Sequence, residues 1–130
     1  MAQTSRLFTD LDLNFRAHPA TKDVTTVVDE QAIKASVRNL ILTSNYERPF
    51  HPEIGSQARA LLFEPASPLL GNVIEKSIRQ TIYNYEPRVE VVAVNVDLSA
   101  DSNSLYITIE FKIVNTSVVR EMSVILTRTR

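Results

Sequence analysis

The 130-residue sequence contains no cysteine. That excludes disulfides, thiolate metal sites and a thiol nucleophile, and it fits synthesis in a reducing cytosol. Glycine is nearly missing too, with only Gly55 and Gly71 present. Glycine-rich phosphate loops are therefore excluded, and a site that needs backbone close to a ligand is disfavoured. Neither sign of charge dominates: 14 basic and 15 acidic residues leave a net charge of −1. This balance offers no basic field to nucleic acid or anionic lipid. No apolar run reaches the length of a membrane span. The stretch Met1-Ala2-Gln3-Thr4-Ser5-Arg6-Leu7 lacks the apolar core of a secretory signal.

Catalytic residues are as scarce. The two histidines, His18 and His51, both lie beside prolines, and neither has a second ligand at metal spacing. No nucleophile elbow occurs. Glycoside hydrolysis needs two carboxylates at a set separation, one of them in an apolar pocket that raises its pKa. Glu53, Glu64 and Glu86 are the acids nearest apolar sequence, and their spacing favours no pair. The residues therefore predict no enzyme, no metal and no cofactor.

What is present is a pattern of helices followed by strands. Residues 1–28 read as an extended arm anchored by Leu7, Phe8, Leu11, Leu13 and Phe15, packed on this domain or on a neighbour. Residues 29–130 read as a single α+β domain. Asp29 is a candidate N-cap for a helix over about 30–43, with Ile33, Val37, Leu40 and Ile41 on one face and Lys34 and Arg38 on the other. A stiff loop, Asn45 to Gly55, holds Pro49 and Pro52. Phe50 and Ile54 are expected to plug into the core there, with Arg48 and Glu53 at the surface. A short helix follows over about 56–64, with Ala58, Leu61, Leu62 and Phe63 as its apolar set, stopped by Pro65.

Ser67 then caps a long helix, with Pro68 at its first position, where the missing N–H does no harm. Leu70, Ile74, Ile78, Ile82 and Tyr85 follow helical spacing, joined by Leu69 and Val73. Glu75, Lys76, Arg79 and Gln80 form the wet face. Pro87 ends the helix near Tyr85 by denying an N–H and pushing Glu86 out of the α region. Past it the period changes to two. Val92, Val94, Val96 and Leu98 alternate with Val91, Ala93, Asn95 and Asp97. After a turn at Ala100-Asp101-Ser102-Asn103, residues Leu105, Ile107, Ile109, Phe111 and Ile113 alternate with polar partners. Asn115-Thr116-Ser117 precedes a third strand over about 121–127, with Met122, Val124 and Leu126 inward. The simplest topology is an antiparallel three-stranded meander with about three helices on one face.

Two features point to partners. The proline corner carries Glu86 and Arg88 two residues apart, so an extended segment would present an acid and a guanidinium on one side. They would otherwise form a local surface ion pair of small worth. The meander also leaves two sheet edges that a partner strand could join, unless the arm or a helix covers them.

Four stretches occur in a telling order: Arg48-Pro49-Phe50-His51-Pro52-Glu53-Ile54-Gly55, Leu62-Phe63-Glu64, Ile78 to Arg88 with its Glu-Pro-Arg end, and Val92-Ala93-Val94-Asn95-Val96. Over roughly residues 30–128 the chain resembles the small baseplate wedge proteins of contractile phage tails, in the form found in T4-like myoviruses. That family includes the sheath-initiating baseplate subunit of type VI secretion systems. The resemblance implies a structural virion protein of the tail baseplate, assembled in the host cytoplasm, with six copies around the hub. It implies a fold similar to the inner domain of a tail sheath subunit. Glu86, Pro87 and Arg88 would be held by the core bundle of larger wedge subunits, and the sheet edge near Ala93 and Asn95 would template the first sheath ring. Arg48, Pro49 and Phe50 join them as candidate partner-binding residues. A type VI or extracellular injection baseplate is the alternative, and a lysozyme-like muramidase a more distant one.

Overall fold

The computed structural model describes residues 9–11, 14, 16–17, 19–23, 26–65, 67–99, 103–114 and 116–128. The arm anchors Leu7, Phe8, Leu13 and Phe15, together with His18, the turn residues 100–102 and Asn115, lie outside them. The chain divides into two compact units, residues 1–36 and 37–130.

In the first unit, strands β1 (Thr9–Leu11) and β2 (Thr26–Val28) pair antiparallel, Thr9 opposite Val28 and Leu11 opposite Thr26. The sequence carries few strand signals there, and the pairing of the two short strands is a finding of the structure. Leu11, expected as an anchor, is exposed. Helix α1 (Asp29–Leu42) opens in this unit and ends in the next. Its first residue, Asp29, has φ +51°, a left-handed value that Asp tolerates better than most residues. Ala32 and Ile33 are buried in this part of the helix, and Lys34 pairs with Glu30 at 2.9 Å.

The second unit holds the α+β domain: the end of α1, α2 (Ala58–Leu61), α3 (Pro68–Tyr85), and strands β3 (Val89–Ser99), β4 (Ser104–Ile113) and β5 (Val119–Thr127). The strands run antiparallel in the order β3-β4-β5. Helix α3 starts where its capping residues place it. Ser67 Oγ accepts a hydrogen bond from Leu70 N at 3.2 Å, and Pro68 takes the first helical position. Leu70, Ile74, Ile78 and Ile82 are buried along one stripe, and α3 packs on β3. Each such side chain contributes about 1.5–3 kcal/mol when removed from water. Leu69 and Val73 fall beside the stripe and are exposed, which corrects the broader face drawn from the sequence. Glu75 and Arg79 pair at 3.2 Å across one helical turn.

The inner sheet face consists of Leu105, Ile107, Ile109 and Phe111 on β4, Met122, Val124 and Leu126 on β5, and Val94 with Val96 and Leu98 on β3. The start of β3 departs from simple alternation. Val91 lies opposite Phe111 and Ala93 opposite Glu110, so Val92 is the extra residue of a β-bulge. Val89 and Val91 therefore face inward, and Val92, expected inside, is 44% exposed. The bulge shifts the phase once, after which Val94, Val96 and Leu98 continue the inner row as expected.

Helix α2 is a single turn and shorter than its predicted 56–64 span. Beyond Leu61 the chain tightens into three-residue turns, Phe63 N to Ala60 O and Glu64 N to Leu61 O, before Pro65. Phe63 leaves the core for the surface, where the Arg128 guanidinium lies 5.4 Å from its ring centre.

Candidate functional site

The corner between α3 and β3 is built by a proline-led turn. Glu86 N still donates to Ile82 O at 2.9 Å, closing the helix, and Glu86 itself has φ −128° and ψ 79°. Val89 N donates back to Glu86 O at 3.2 Å, so residues 86–89 form a β-turn with Pro87 at its second position, where proline's fixed φ fits. The sequence pattern predicted an extended exit. A turn comes first, and the strand starts after it.

That turn brings Glu86 and Arg88 together. Arg88 Nε lies 2.6 Å from Glu86 Oε1, and Nη2 lies 2.8 Å from Oε2. This is the parallel two-bond fork of guanidinium on carboxylate. Glu86 is only 2% exposed, whereas the Arg88 side chain keeps 24% of its surface in water. Glu86 therefore does not stand beside Arg88 as a second exposed charge, as an extended corner would have it. It lies beneath and holds the guanidinium. Nor is this an ordinary surface pair, because one member is desolvated. Arg88 O also accepts from Val114 N at 2.9 Å, which ties the far end of β4 to the corner. Pro87 is exposed, and so is Tyr83 one helical turn before it. Sequence reasoning passed over Tyr83. Its signal was present, since it continues the wet face of Glu75 and Arg79 with an aromatic ring.

The second group, Arg48, Pro49 and Phe50, lies in a braced loop. Tyr46 N donates to Pro52 O at 2.8 Å and closes it. Ser44 N donates to Glu47 Oε2 at 2.8 Å, and Ile54 N to His51 O at 3.2 Å. At the base, Gly55 has φ +146°, and an added Cβ would lie 2.8 Å from both Thr43 O and Ser44 C. Only glycine fits such a crossing. Thr81 Oγ1 donates to Gly55 O at 3.1 Å and Tyr85 Oη to Glu53 O at 3.0 Å, so α3 holds the loop from its other side. Phe50 does not plug into the core as expected. It is 95% exposed, and Tyr46 is 85% exposed. Both have left-handed backbone, φ +72° and +68°, a conformation costing about 1–2 kcal/mol for such residues. Ile54 is half-buried.

The third group, Ala93 and Asn95, lies on the outer sheet face opposite Glu110 and Thr108. Among the described residues no strand pairs with the outer edge of β3 or of β5.

The acids weighed for hydrolysis are disposed differently from a glycosidase pair. Glu53 is exposed, and its carboxyl is held below the ordinary value of 4.5 by a hydrogen bond from its own backbone and then by His51 at 3.2 Å. That is the wrong direction for a general acid at neutral pH. Glu64 is exposed, and both Glu86 oxygens bond to Arg88. No group of three or more acids and histidines among the described residues is placed to hold a metal ion.

Comparison with known proteins agrees with the fold and extends it. The family model for baseplate wedge protein gp25 matches residues 27–118. The baseplate wedge protein gp25 of Enterobacteria phage T4 is 34% identical over 115 residues, which cover 88% of this chain and 86% of that protein. Among solved structures, a Geobacter sulfurreducens protein bearing a tail-lysozyme label superposes with a TM-score of 0.70 at 22% identity, covering 78% of this chain and 92% of its own. A chain of the anti-feeding prophage baseplate gives a TM-score of 0.65 at 20% identity, with 91% and 83% covered. These structural likenesses speak to fold. The sequence matches speak to family, and on them the chain belongs to the gp25 family of baseplate wedge proteins.

Proposed function

We propose that this protein is a non-enzymatic structural subunit of a contractile phage tail baseplate. Its proline corner is held by the core bundle of larger wedge subunits, and a sheet edge receives the first strand from the tail sheath protein. Six copies surround the hub in the virion, with neither nucleic acid nor membrane as a partner. The observation that carries this reading is the fork of Arg88 on buried Glu86, set on a proline turn one residue before an edge strand. Such a fork fixes the direction of a guanidinium before a partner arrives, so little freedom is lost on docking. Arg88 and Pro87 are the groups a partner meets, and Glu86 holds them.

The edge works by backbone. A joining strand forms several hydrogen bonds, each worth about 0.5–1.5 kcal/mol net. One such contact is modest, and six on a rigid ring raise one another's effective concentration. A ring therefore starts a sheath that free sheath subunits begin poorly.

Arg88→Ala tests the anchor, with incorporation into wedges measured well below the variant's melting temperature. Normal incorporation overturns it. Proline at Ala93 or at Asn95 tests the edge: wedges should form without sheaths. Sheaths on such particles would exclude β3 as the template and move the proposal to β5. The phage reading is favoured over the injection-machine alternative by the 34% identity to the phage protein, against 20% for the prophage baseplate chain.

A further inference from the structure

We propose that the loop over residues 46–53 is a second, preformed anchor that inserts Phe50 into an apolar pocket, rimmed by a carboxylate, on the same wedge subunit that holds the Glu-Pro-Arg corner. The inference rests on the corner reading above and extends it to a surface that has no place there.

Three observations lead to it. First, Phe50 and Tyr46 are almost wholly exposed, on a loop whose backbone is held in a costly conformation at both residues. A strained position persists only where its surroundings over-determine it, and such positions cluster at binding sites. Here the surroundings do so: the Tyr46 to Pro52 closure, the Glu47 side chain on Ser44 N, and two prolines. A floppy loop would relax and lay its rings on the protein. This one holds a ring out, with its ordering already complete.

Second, the loop and the corner are mechanically joined. Tyr85 is the last residue of α3, directly before the corner, and its hydroxyl donates to Glu53 O at the loop's base. Glu86 and the loop thus hang from one helix end. A groove of about 380 Å³ runs along α3 beside the loop's base, lined by Asn45, Glu53, Gln80, Asn84 and Tyr85 among others, and reaches the residue before the corner. That continuity commits the occupant to the corner's own partner.

Third, the charges at the tip define the rim. Glu47 is engaged by Ser44 N and Glu53 by His51. Arg48 makes no ion pair with the described residues and sits two residues from Phe50. A pocket for the ring with an acid at its edge satisfies both.

In this arrangement Phe50 is the contact and Tyr85 a positioning residue. The test uses the full chain and a purified wedge complex assembled without it. Phe50→Ala should melt like the natural protein, because its ring touches almost nothing, yet bind about 10- to 100-fold more weakly. Tyr85→Phe removes only the hydroxyl and should weaken binding about 2- to 10-fold. In the Phe50→Ala background it should add nothing, because its whole effect passes through the ring. Unchanged binding by Phe50→Ala overturns the anchor, and additive losses overturn the role of Tyr85.

Photo-crosslinking separates this inference from the reading beneath it. A benzophenone side chain in place of Phe50, and separately in place of exposed Glu90 beside the corner, should mark the same wedge subunit. Products on two different subunits, or a product from position 90 alone, overturn the second anchor and leave the corner intact. Incorporated protein with no product on a wedge subunit from position 90 overturns the corner reading itself.

Discussion

Arg88→Ala separates a braced guanidinium from an ordinary surface charge before any assembly is attempted. The substitution strips two short hydrogen bonds, 2.6 and 2.8 Å, from a carboxylate that is 2% exposed. Removing one member of a fully buried pair costs about 3–5 kcal/mol, because the other charge is left uncompensated. Arg88 keeps 24% of its side chain in water, so water reaches part of the gap and the lower end applies. We expect about 3 kcal/mol. In a chain of this length about 4 °C of melting temperature follows each kcal/mol, so the midpoint should fall by about 12 °C. Arg88→Lys keeps the charge and loses the fork, and should fall about half as far. Glu86→Gln combined with Arg88→Ala should recover much of the loss, giving a coupling of about 2 kcal/mol in a double-mutant cycle. Calorimetry on the natural protein, Arg88→Ala, Arg88→Lys, Glu86→Gln and the double variant measures all of this. A cost below about 0.5 kcal/mol for Arg88→Ala, with no coupling, would return the pair to the exposed class and refute the bracing argument.

Further outcomes follow from other parts of the fold. Gly55→Ala places a Cβ 2.8 Å from Thr43 O at φ +146°, so it should cost about 3 kcal/mol or prevent folding, as urea denaturation will show. Ser67→Ala removes the acceptor for Leu70 N and should cost about 1 kcal/mol in the same assay, with α3 otherwise intact. Glu53 has its folded pKa lowered, so any stability it lends the loop is present above 4.5 and lost as pH falls through the lower folded value. His51→Ala should move that pKa only part of the way back in an NMR titration, since the backbone hydrogen bond is the larger cause.

The parts of this fold that were legible in the sequence are those set by local chemistry. Ser67 and Pro68 start α3, and Pro87 stops it, whatever surrounds them. The clean alternation of β4 fixes its two faces and, with them, the meander. The bulge was not legible, because Val89, Val91, Val92, Ala93 and Val94 are apolar in either phase. Only pairing of Val91 with Phe111 and of Ala93 with Glu110 decides which residue is extra. The exposure of Phe50 was hidden for a related reason. An aromatic ring between two prolines has every sequence mark of a core plug, and the closure from Tyr46 N to Pro52 O that turns it outward joins residues six apart. The burial of Glu86 depends likewise on a turn that folds Arg88 back over it. The corner was recognisable, and its internal division of labour was not.

The outer edges of β3 and β5, which no strand among the described residues pairs, are not equivalent, and their difference bears on the proposed templating of a sheath. β5 pairs with β4 in unbroken register from Val119 to Thr127, while β3 is interrupted by the bulge between Val91 and Ala93. An added strand would find the longer regular edge on β5. Yet β5 sets Arg120 in the inner row opposite Phe111, and Glu121 opposite Glu110, charges that oppose chance pairing of two copies along that edge. β3 has the shorter regular stretch, from Ala93 to Ser99, but the strand itself begins one residue after Arg88. A strand docked on β3 would pull on the anchor directly through the chain. One docked on β5 would pull through β4, whose end is fastened to the corner by Val114 N on Arg88 O. Both routes end at the same guanidinium. On the proposed reading, a template holds its edge still only if the anchor under it is stiff, and an acid buried beneath Arg88 would supply that stiffness.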